Sequence, residues 1–515
     1  MLGEMWSFRG RYKILHMTWF AFFLSFVVWF NLAPLATAIR EDFGLEVGQI
    51  RTIAICNVAL TVPARVIIGM LLDKYGPRLT YSLLLMYAAV PCIIFASAQS
   101  FNQLVIGRLL MGIVGAGFVI GIRMTAEWFP PKEIGLAEGI YGGWGNFGSA
   151  FSAFTLVGLA TALNFFPGSF QVTDGPMLNW RIVIAATGII AALYGCLYYF
   201  SVEDTPPGKV YQRPASTRGM EVTTVRDFWG LLLMNLPLTG ILIVLSWRLK
   251  KVGFLNEGTF GLAIAALVAL YLFQAYNCWA VNKDLLSGAK RYPAEDRYKF
   301  KQVAILELTY IVNFGSELAV VSMLPTFFEG TFGLSKALAG MLAASYAFMN
   351  LFARPSGGLI SDRLGSRKTT MGVLTLCMGV GYLVMSSIPS IRDALGGGGA
   401  FMVGLAVIMT MMCSFFVQAG EGSTFAIVPL VKRRVTGQIA GNVGAYGNVG
   451  AVAYLTLYSL VPEGDIGNII FFQTLGVAAI IVAFLCFFIL EEPKGSFAEA
   501  HEGEDVSVPD GSYVG

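Results

Sequence analysis

Charge is what this chain has least of. Of its 515 residues, 13% are Asp, Glu, Lys or Arg, about half the roughly 25% usual for a water-soluble domain. Hydrophobic residues make up 56% and the mean hydropathy is +0.67. A soluble protein of that composition would expose large apolar patches and associate; a chain whose solvent is lipid does not. The net charge of +3 offers no basic footprint for nucleic acid. Histidine is nearly missing: His16 and His501 stand near the two ends, so neither a buried histidine relay nor a histidine metal site is expected. The seven cysteines (Cys56, Cys92, Cys196, Cys278, Cys377, Cys413, Cys486) fall in apolar stretches at no ligand spacing and read as packing thiols. There is no Walker loop, HExxH, haem-type histidine pair or G-x-S-x-G elbow. ATP drive and the common enzyme chemistries are therefore not expected, nor is a cofactor or metal.

What is abundant is apolar sequence of membrane-crossing length. A helix needs about 20 apolar residues to cross the roughly 30 Å hydrocarbon core. Six segments qualify near 17–39, 51–72, 80–98, 101–124, 134–161 and 180–201. Six more lie near 303–328, 336–361, 369–389, 399–424, 436–461 and 468–490. The first lacks a small-residue cleavage site and reads as a retained helix. Two further candidates, near 229–247 and 259–281, fall between the sets. Arg9, Arg11, Lys13, the 73–78 loop, Arg123 and Lys132 share one side, which the positive-inside rule makes cytoplasmic. Both termini are then cytoplasmic, in an inner (plasma) membrane. If the extra pair crosses, Arg248, Lys250 and Lys251 end up outside, against the rule; if not, the pair lies along the interface. Length favours a crossing hairpin. The expected organisation is a six-helix bundle over 1–203, a central linker with two hydrophobic segments over 204–300, a second bundle over 301–492 and a disordered polar tail over 493–515.

The two sets are duplicates. Arg65, Gly69, Asp73, Gly76 and Arg78 match Arg354, Gly358, Asp362, Gly365 and Arg367 at one constant offset. Gly135, Gly139, Gly142, Gly145, Asn146 and Gly148 match Gly437, Gly441, Gly444, Gly447, Asn448 and Gly450 at another. Two motifs in the same order imply two homologous halves about a pseudo-twofold axis, the pattern of alternating-access carriers with a midplane site. The G-x-x-x-D-x-x-G-x-R loop resembles the signature between spans two and three of the major facilitator superfamily. That resemblance implies an all-α membrane fold in which Asp73, Arg78, Asp362 and Arg367 serve gating, with the aspartates expected to form charge pairs with the neighbouring bundle. A solvated loop needed only for topology is the alternative.

Arg65 and Arg354 are the sharpest feature. Each stands eight residues before its loop aspartate, about 12 Å along a helix, which places both near the midplane. Intramembrane charges are costly and generally face a cavity or partner. Two arginines at equivalent positions ask for an anion between them, and the planar guanidinium fork suits a planar oxyanion. The alternative is a private carboxylate for each arginine, but the flanking segments are poor in acids. Asn146 and Asn448 are mid-helix amides that need partners in lipid. Gly142, Gly145, Gly148, Gly444, Gly447 and Gly450 read as helix-packing glycines.

The paired stretches around Gly145-Asn146 and Gly447-Asn448 resemble the signatures of the nitrate/nitrite porter family, most closely cyanobacterial-type permeases, over nearly the whole chain outside the central insert. The resemblance implies that Arg65 and Arg354 clamp the anion and that Asn146 donates to it. It further implies that Tyr310 and Phe314 of the seventh core span, and Phe118 of the fourth, line the site. Tyr310, Phe314 and Glu317 fall at i, i+4 and i+7, one helical face. A carboxyl beside an anion repels it when ionised and tolerates it when protonated. Glu317 is therefore the proton-coupling candidate, with Glu307 and Glu421 as others; a structural ion pair with Arg65, Arg354 or Arg123 is the alternative. Arg123 and Glu127 read as a structural pair. The function expected is secondary transport of nitrate and nitrite by a monomer, proton-coupled. Exchange of the two anions, another small anion on the same fold, and a non-transporting receptor are the alternatives.

Overall fold

The structure is a computed structural model describing residues 6–173, 175–214, 216–293, 297–397 and 399–493. Residues 494–515, where a disordered tail was expected, lie outside the described residues. The first half contains α1 (Gly10–Phe30), α2 (Val47–Tyr75), α3 (Pro77–Ala96), α4 (Phe101–Trp128), α5 (Ile134–Ala162) and α6 (Trp180–Ser201). A hairpin of α7 (Val225–Lys251) and α8 (Glu257–Leu286) follows. The second half contains α9 (Phe300–Phe332), α10 (Lys336–Phe348 continuing as Asn350–Arg363), α11 (Arg367–Ser386), α12 (Ala400–Phe425), α13 (Thr436–Tyr458) and α14 (Asp465–Phe488). Helices satisfy their backbone internally, which is why apolar runs in lipid adopt them. The helix α1 begins at Gly10, earlier than hydropathy alone suggests, and Arg11 in its first turn is held by Glu133 at 2.8 Å. A two-stranded ribbon, Phe170↔Leu178, joins α5 to α6 and has no signal in the apolar pattern.

Eleven described helical stretches are long and apolar enough to cross a membrane. The helices α5, α10 and α13 are not among them, although they occupy three of the twelve core positions. For α10 the cause is its break at Met349 into helices of 13 and 14 residues, and for α13 it is burial in protein. Every residue of α13 from Thr436 to Val452 is buried, so this helix needs no lipid face and carries glycine and amides instead.

The halves meet along two glycine seams, α2 against α13 and α10 against α5. A Cβ on Gly441 would lie 2.6 Å from the Arg65 carbonyl, and one on Gly139 2.7 Å from the Arg354 carbonyl. Each seam ends in a helix cap supplied by the opposite half. Asp73 Oδ1 and Oδ2 accept from the amides of Gly437 (2.9 Å) and Gln438 (3.0 Å) at the start of α13. Asp362 does the same for Gly135 (3.1 Å) and Leu136 (2.8 Å) at the start of α5. The aspartates thus bind helix N-termini, where free amides and the dipole favour an anion. A cationic side chain is not their main partner in the other half, contrary to the charge pairs expected. Gly135 and Gly437 are required at these caps, since a Cβ would lie 2.5 Å from the aspartate oxygen. Arg367 pairs with Asp362 at 2.7 Å and donates to the Pro131 carbonyl of the first half at 2.7 Å. Arg78 is equivalent in its main chain and not in its side chain. Its amide donates to Asp204 at 2.7 Å, as that of Arg367 does to Glu492 at 2.6 Å, but its guanidinium stacks on Tyr199, 4.4 Å from the ring centre, within the first half.

The linker crosses this same loop face. Trp128 Nε1 donates to the Glu203 carbonyl (3.1 Å), Lys209 Nζ to that of Glu127 (3.0 Å) and the Tyr211 hydroxyl to that of Leu72 (2.9 Å). Further on, Glu221 receives Arg434 at 3.1 Å and Lys290 at 3.3 Å. Burial alone would raise the Glu221 carboxyl; the Tyr292 hydroxyl, Arg434 and Lys290 outweigh it and hold it below the usual carboxylate range. Of the hairpin, α7 packs on α2 and α13, with Tyr446 of α13 donating to the Met234 carbonyl. The outer helix α8 buries only Cys278 and Asn282.

The seams predict a contrast in stability. Gly358→Ala pushes a Cβ into the Gly135 carbonyl, so it lowers stability by about 1–3 kcal/mol, the usual cost of overpacking. Gly404→Ala, which meets nothing within 4 Å, leaves it unchanged or slightly raised. Thermal unfolding of the detergent-purified variants reads both.

Candidate functional site

Two core helices lose their regular winding where the halves meet. The helix α4 tightens to a 3-10 segment over Gly112–Ala116, and α9 loosens to a π segment over Ile311–Gly315. Such breaks release carbonyls and are tolerated in a membrane only where protein or a cavity covers them. The freed carbonyls are used. Gly112 accepts from Thr61 Oγ1 at 2.6 Å, and Gly115 from Arg65 Nε at 3.2 Å.

Arg65 and Arg354 are buried, 0% and 1% exposed. Arg65 Nη1 crosses the interface to the Gly444 carbonyl at 2.6 Å, and Arg354 Nη1 crosses to that of Gly142 at 3.3 Å. Each arginine therefore binds the glycine signature of the other half. The glycines make room: a Cβ on Gly142 would lie 3.0 Å from Arg354 Cδ, and one on Gly444 3.2 Å from Arg65 Cδ. Gly447 likewise admits the rings of Tyr310 and Phe314, and Gly145 that of Phe22. Close packing and the placing of the arginines and rings thus rest on the same positions.

Both guanidinium groups lie over the same two rings. Arg65 is 5.3 Å from the centre of Phe118 and 5.1 Å from that of Phe314; Arg354 is 5.4 Å and 6.0 Å from them. Phe118, Tyr310 and Phe314 form a continuous stack, with centroids 6.0 Å and 5.0 Å apart and interplanar angles of 6° and 5°. Phe425 meets Phe118 and Tyr310 edge-on. The negative ring faces offset part of the cost of two buried cations. Arg354 Nη2 also donates to the Tyr310 hydroxyl at 3.1 Å.

The two arginines differ in one respect. Arg354 forms an ion pair with Glu421 of α12, so the private carboxylate set aside from the sequence is present at this arginine. Among the described residues Arg65 has no ion-pair partner, and its Nη2 is buried without a hydrogen bond. The amides form a separate chain. Asn146 Nδ2 donates to Asn350 Oδ1 at 3.4 Å, and Asn350 Nδ2 to Glu317 Oε1 at 2.6 Å. Gln418 Nε2 reaches the same Glu317 oxygen at 3.3 Å. Asn448 Nδ2 bonds only the Gly444 carbonyl, at 3.4 Å, and the Oδ1 atoms of Asn146 and Asn448 are unpartnered. The π segment supplies the physical reason that Glu317 turns toward α10 and α12: its wider winding breaks the 3.6-residue period on which a face shared with Tyr310 and Phe314 rested. Glu307 lies elsewhere, buried, with Oε2 unpartnered. Arg123 and Glu127 pair at 3.0 Å, and Glu127 also holds Arg433 of the second half at 3.2 Å.

Sequence reasoning missed Phe425, Asn350, Gln418 and the contact of Glu421 with Arg354. The signal available was Gln418, Gly420, Glu421 and Gly422 in one apolar span, polar and small residues together where lipid accepts neither. Two fixed cations, an aromatic floor and unpaired donors can hold a small, flat, singly charged anion.

The sequence description of the Major Facilitator Superfamily matches residues 18–281 and 306–511. The chain is 71% identical to "Nitrate/nitrite transporter NrtP" of Picosynechococcus sp., over 98% of this chain and 97% of that protein. It is 54% identical to the protein of the same name from Nostoc punctiforme, with the same coverage. Among solved structures, the proton:xylose symporter XylE superposes with a TM-score of 0.60 at 16% identity, covering 96% of this chain and 98% of that one. That likeness concerns the fold alone.

The unequal partners predict unequal variants in anion-free buffer. Arg354→Met strands the buried Glu421 and costs about 3–5 kcal/mol, as removal of one partner of a buried pair does. Arg65→Met removes a buried cation that has no carboxylate and does not lower the unfolding temperature comparably. Thermal unfolding of the two variants beside wild type measures the difference.

Proposed function

The chain belongs to the major facilitator superfamily and within it to the nitrate/nitrite porters, and from that premise we propose that it takes up nitrate and nitrite by alternating access, coupled to protons. One observation carries the substrate assignment. Arg65 and Arg354 converge on the faces of Phe118 and Phe314, and Arg65 Nη2 has nothing to bind. Nitrate and nitrite are flat, singly charged and rich in acceptor oxygens, so they fit a guanidinium fork over an aromatic floor. Tyr310 and the amides Asn146 and Asn448 complete the lining.

The loop face is cytoplasmic in this proposal, by its arginines and lysines, with both termini on that side of the inner (plasma) membrane. The hairpin of α7 and α8 crosses the bilayer: its helices have 27 and 30 residues, more than the roughly 20 needed. At its tip Lys250 is paired with Glu257 at 2.8 Å, which lessens the cost of placing it outside. The lining comes from both halves of one chain, so a monomer suffices. Gating works through Asp73 and Asp362, whose caps on α13 and α5 hold the cytoplasmic face shut, assisted by Arg367. Arg78 acts on this lock only through the Asp204 linker. Opening that face breaks both caps and slides the glycine seams apart.

The missing carboxylate at Arg65 favours a second reading, in which an anion always occupies the site and the protein exchanges nitrate for nitrite. Labelled nitrate uptake into proteoliposomes separates them. Accumulation driven by an inward proton gradient, with no anion inside, supports symport; uptake only after nitrite is loaded inside supports exchange; uptake in neither overturns the substrate assignment. Arg65→Lys keeps the charge but loses the fork and the bonds to Gly115 and Gly444, so nitrate affinity falls by about 10- to 100-fold, the worth of one charge-assisted hydrogen bond. Direct binding measurements on the purified variant check this.

A further inference from the structure

Among the described residues, Glu421 is the acid that touches a substrate arginine. It is fully buried, its Oε2 forms an ion pair with Arg354 Nη2, and neither oxygen accepts a well-formed hydrogen bond. To a guanidinium, a carboxylate and a nitrate are close equivalents: flat, singly negative, with two oxygens able to take the same fork. We propose that Glu421 is a built-in competitor for the transported anion, occupying Arg354 when ionised and yielding it when protonated, so that each anion bound at Arg354 brings one proton onto Glu421. The inference rests on the nitrate/nitrite reading and specifies how that site is coupled.

Charge balance supports it. With Arg65 and Arg354 positive and Glu421 negative, these three groups sum to +1. One anion and one proton added together leave +1. The proton comes from water on the side to which the site is open and forms the O–H bond of the carboxyl; the anion takes its place at the guanidinium. An anion added alone brings the sum to zero and sets two negative groups against one fork. The empty and doubly loaded site therefore carry equal charge. These are the two states a symporter must carry across the membrane.

The groups facing Glu421 are Arg354 from α10, Glu317 and Tyr310 from α9, and Arg65 from α2. On α5, Glu138 lies near Arg354 and is held by Thr125 Oγ1. Glu317 is less suited to the competing role. Its Oε1 is bound by Asn350 and Gln418 and it makes no ion pair with either substrate arginine, so its ionisation does not close the fork.

The test is nitrate affinity of the purified full-length protein against pH, with flux in proteoliposomes, for wild type, Glu421→Gln, Glu421→Asp and Glu317→Gln. In wild type the dissociation constant rises by up to about tenfold per pH unit above the titration of the carboxyl, the slope for one linked proton. Glu421→Gln binds with the acid-side affinity at every pH, loses gradient-driven accumulation and keeps nitrate–nitrite exchange. Glu421→Asp and Glu317→Gln keep the pH dependence. A wild-type affinity independent of pH, or a pH-dependent affinity surviving in Glu421→Gln, overturns the proposal. Where Glu421→Gln fails to fold, a wild-type affinity independent of pH still overturns the proposal, as does loss of the pH dependence in Glu317→Gln. Wild type binding neither nitrate nor nitrite at any pH overturns the substrate reading beneath it, a result distinct from binding that ignores pH.

Discussion

Two permanently charged guanidinium groups lie at the centre of this membrane protein, and much of its construction follows from the cost of holding them there. An arginine in a low-dielectric interior must find acceptors or a counter-charge. Here the acceptors are main-chain carbonyls. The Gly115 carbonyl is free because α4 tightens just before Phe118; those of Gly142 and Gly444 are reachable because no side chain stands over them. The aromatic stack supplies negative ring faces that need no titratable group. The glycine signatures are therefore more than close-packing devices. They set main-chain oxygens within reach of a charge from the other half.

The duplication gives the site its symmetry, and the departures from it give the site a direction for chemistry. Arg65 with Gly444 and Arg354 with Gly142 are the same contact written twice. Glu421 stands on one side only, and the π segment of α9 has no counterpart in α1, which is regular from Gly10 to Phe30. Two strictly identical halves would offer an anion two equal forks. The unequal pair offers one guanidinium with a single unpartnered nitrogen and one already paired with a carboxylate, and the proposed proton control falls on the second.

Much of this was legible in the sequence because it is written in residues whose presence in lipid has few explanations. A constant offset picks out Arg65 and Arg354, and charged residues eight positions from a loop aspartate are placed by helix rise alone. What was not legible depends on which helices touch. Glu421 sits 67 positions beyond Arg354 in sequence, and only the packing of α10 against α12 brings them together. Across the interface Asp73 and Asp362 bind main-chain amides and not the side-chain charges expected, because a backbone amide has no letter in a sequence; the free amides exist because α13 and α5 begin there. Arg78 and Arg367 match in the duplicated motif and their amides are held alike, by Asp204 and Glu492, yet their guanidinium groups differ: that of Arg367 reaches Asp362 and the first half, while that of Arg78 stacks on Tyr199. Enclosure by the other half is also what lets α13 carry glycine and amides where a lipid-facing helix carries apolar side chains.

The proposed site and the proposed lock share the same helix pairs. Arg65 bonds α13 at Gly444, and Asp73 on the same helix α2 caps α13 at Gly437 and Gln438; Arg354 and Asp362 do the same from α10 to α5. Separating α2 from α13 therefore breaks the cap and the arginine bond together, and the contacts of a seam are lost as a set. In the proposed function, an anion bound at either arginine competes with the glycine carbonyls for the same guanidinium hydrogens. Loading the proposed site then weakens the arginine's hold on the opposite half within the seam that alternating access opens, and the eight residues between each arginine and its aspartate, about 12 Å of helix, separate the two. On that proposal no separate relay between substrate and gate is needed, because one short helical segment carries both the arginine and the aspartate.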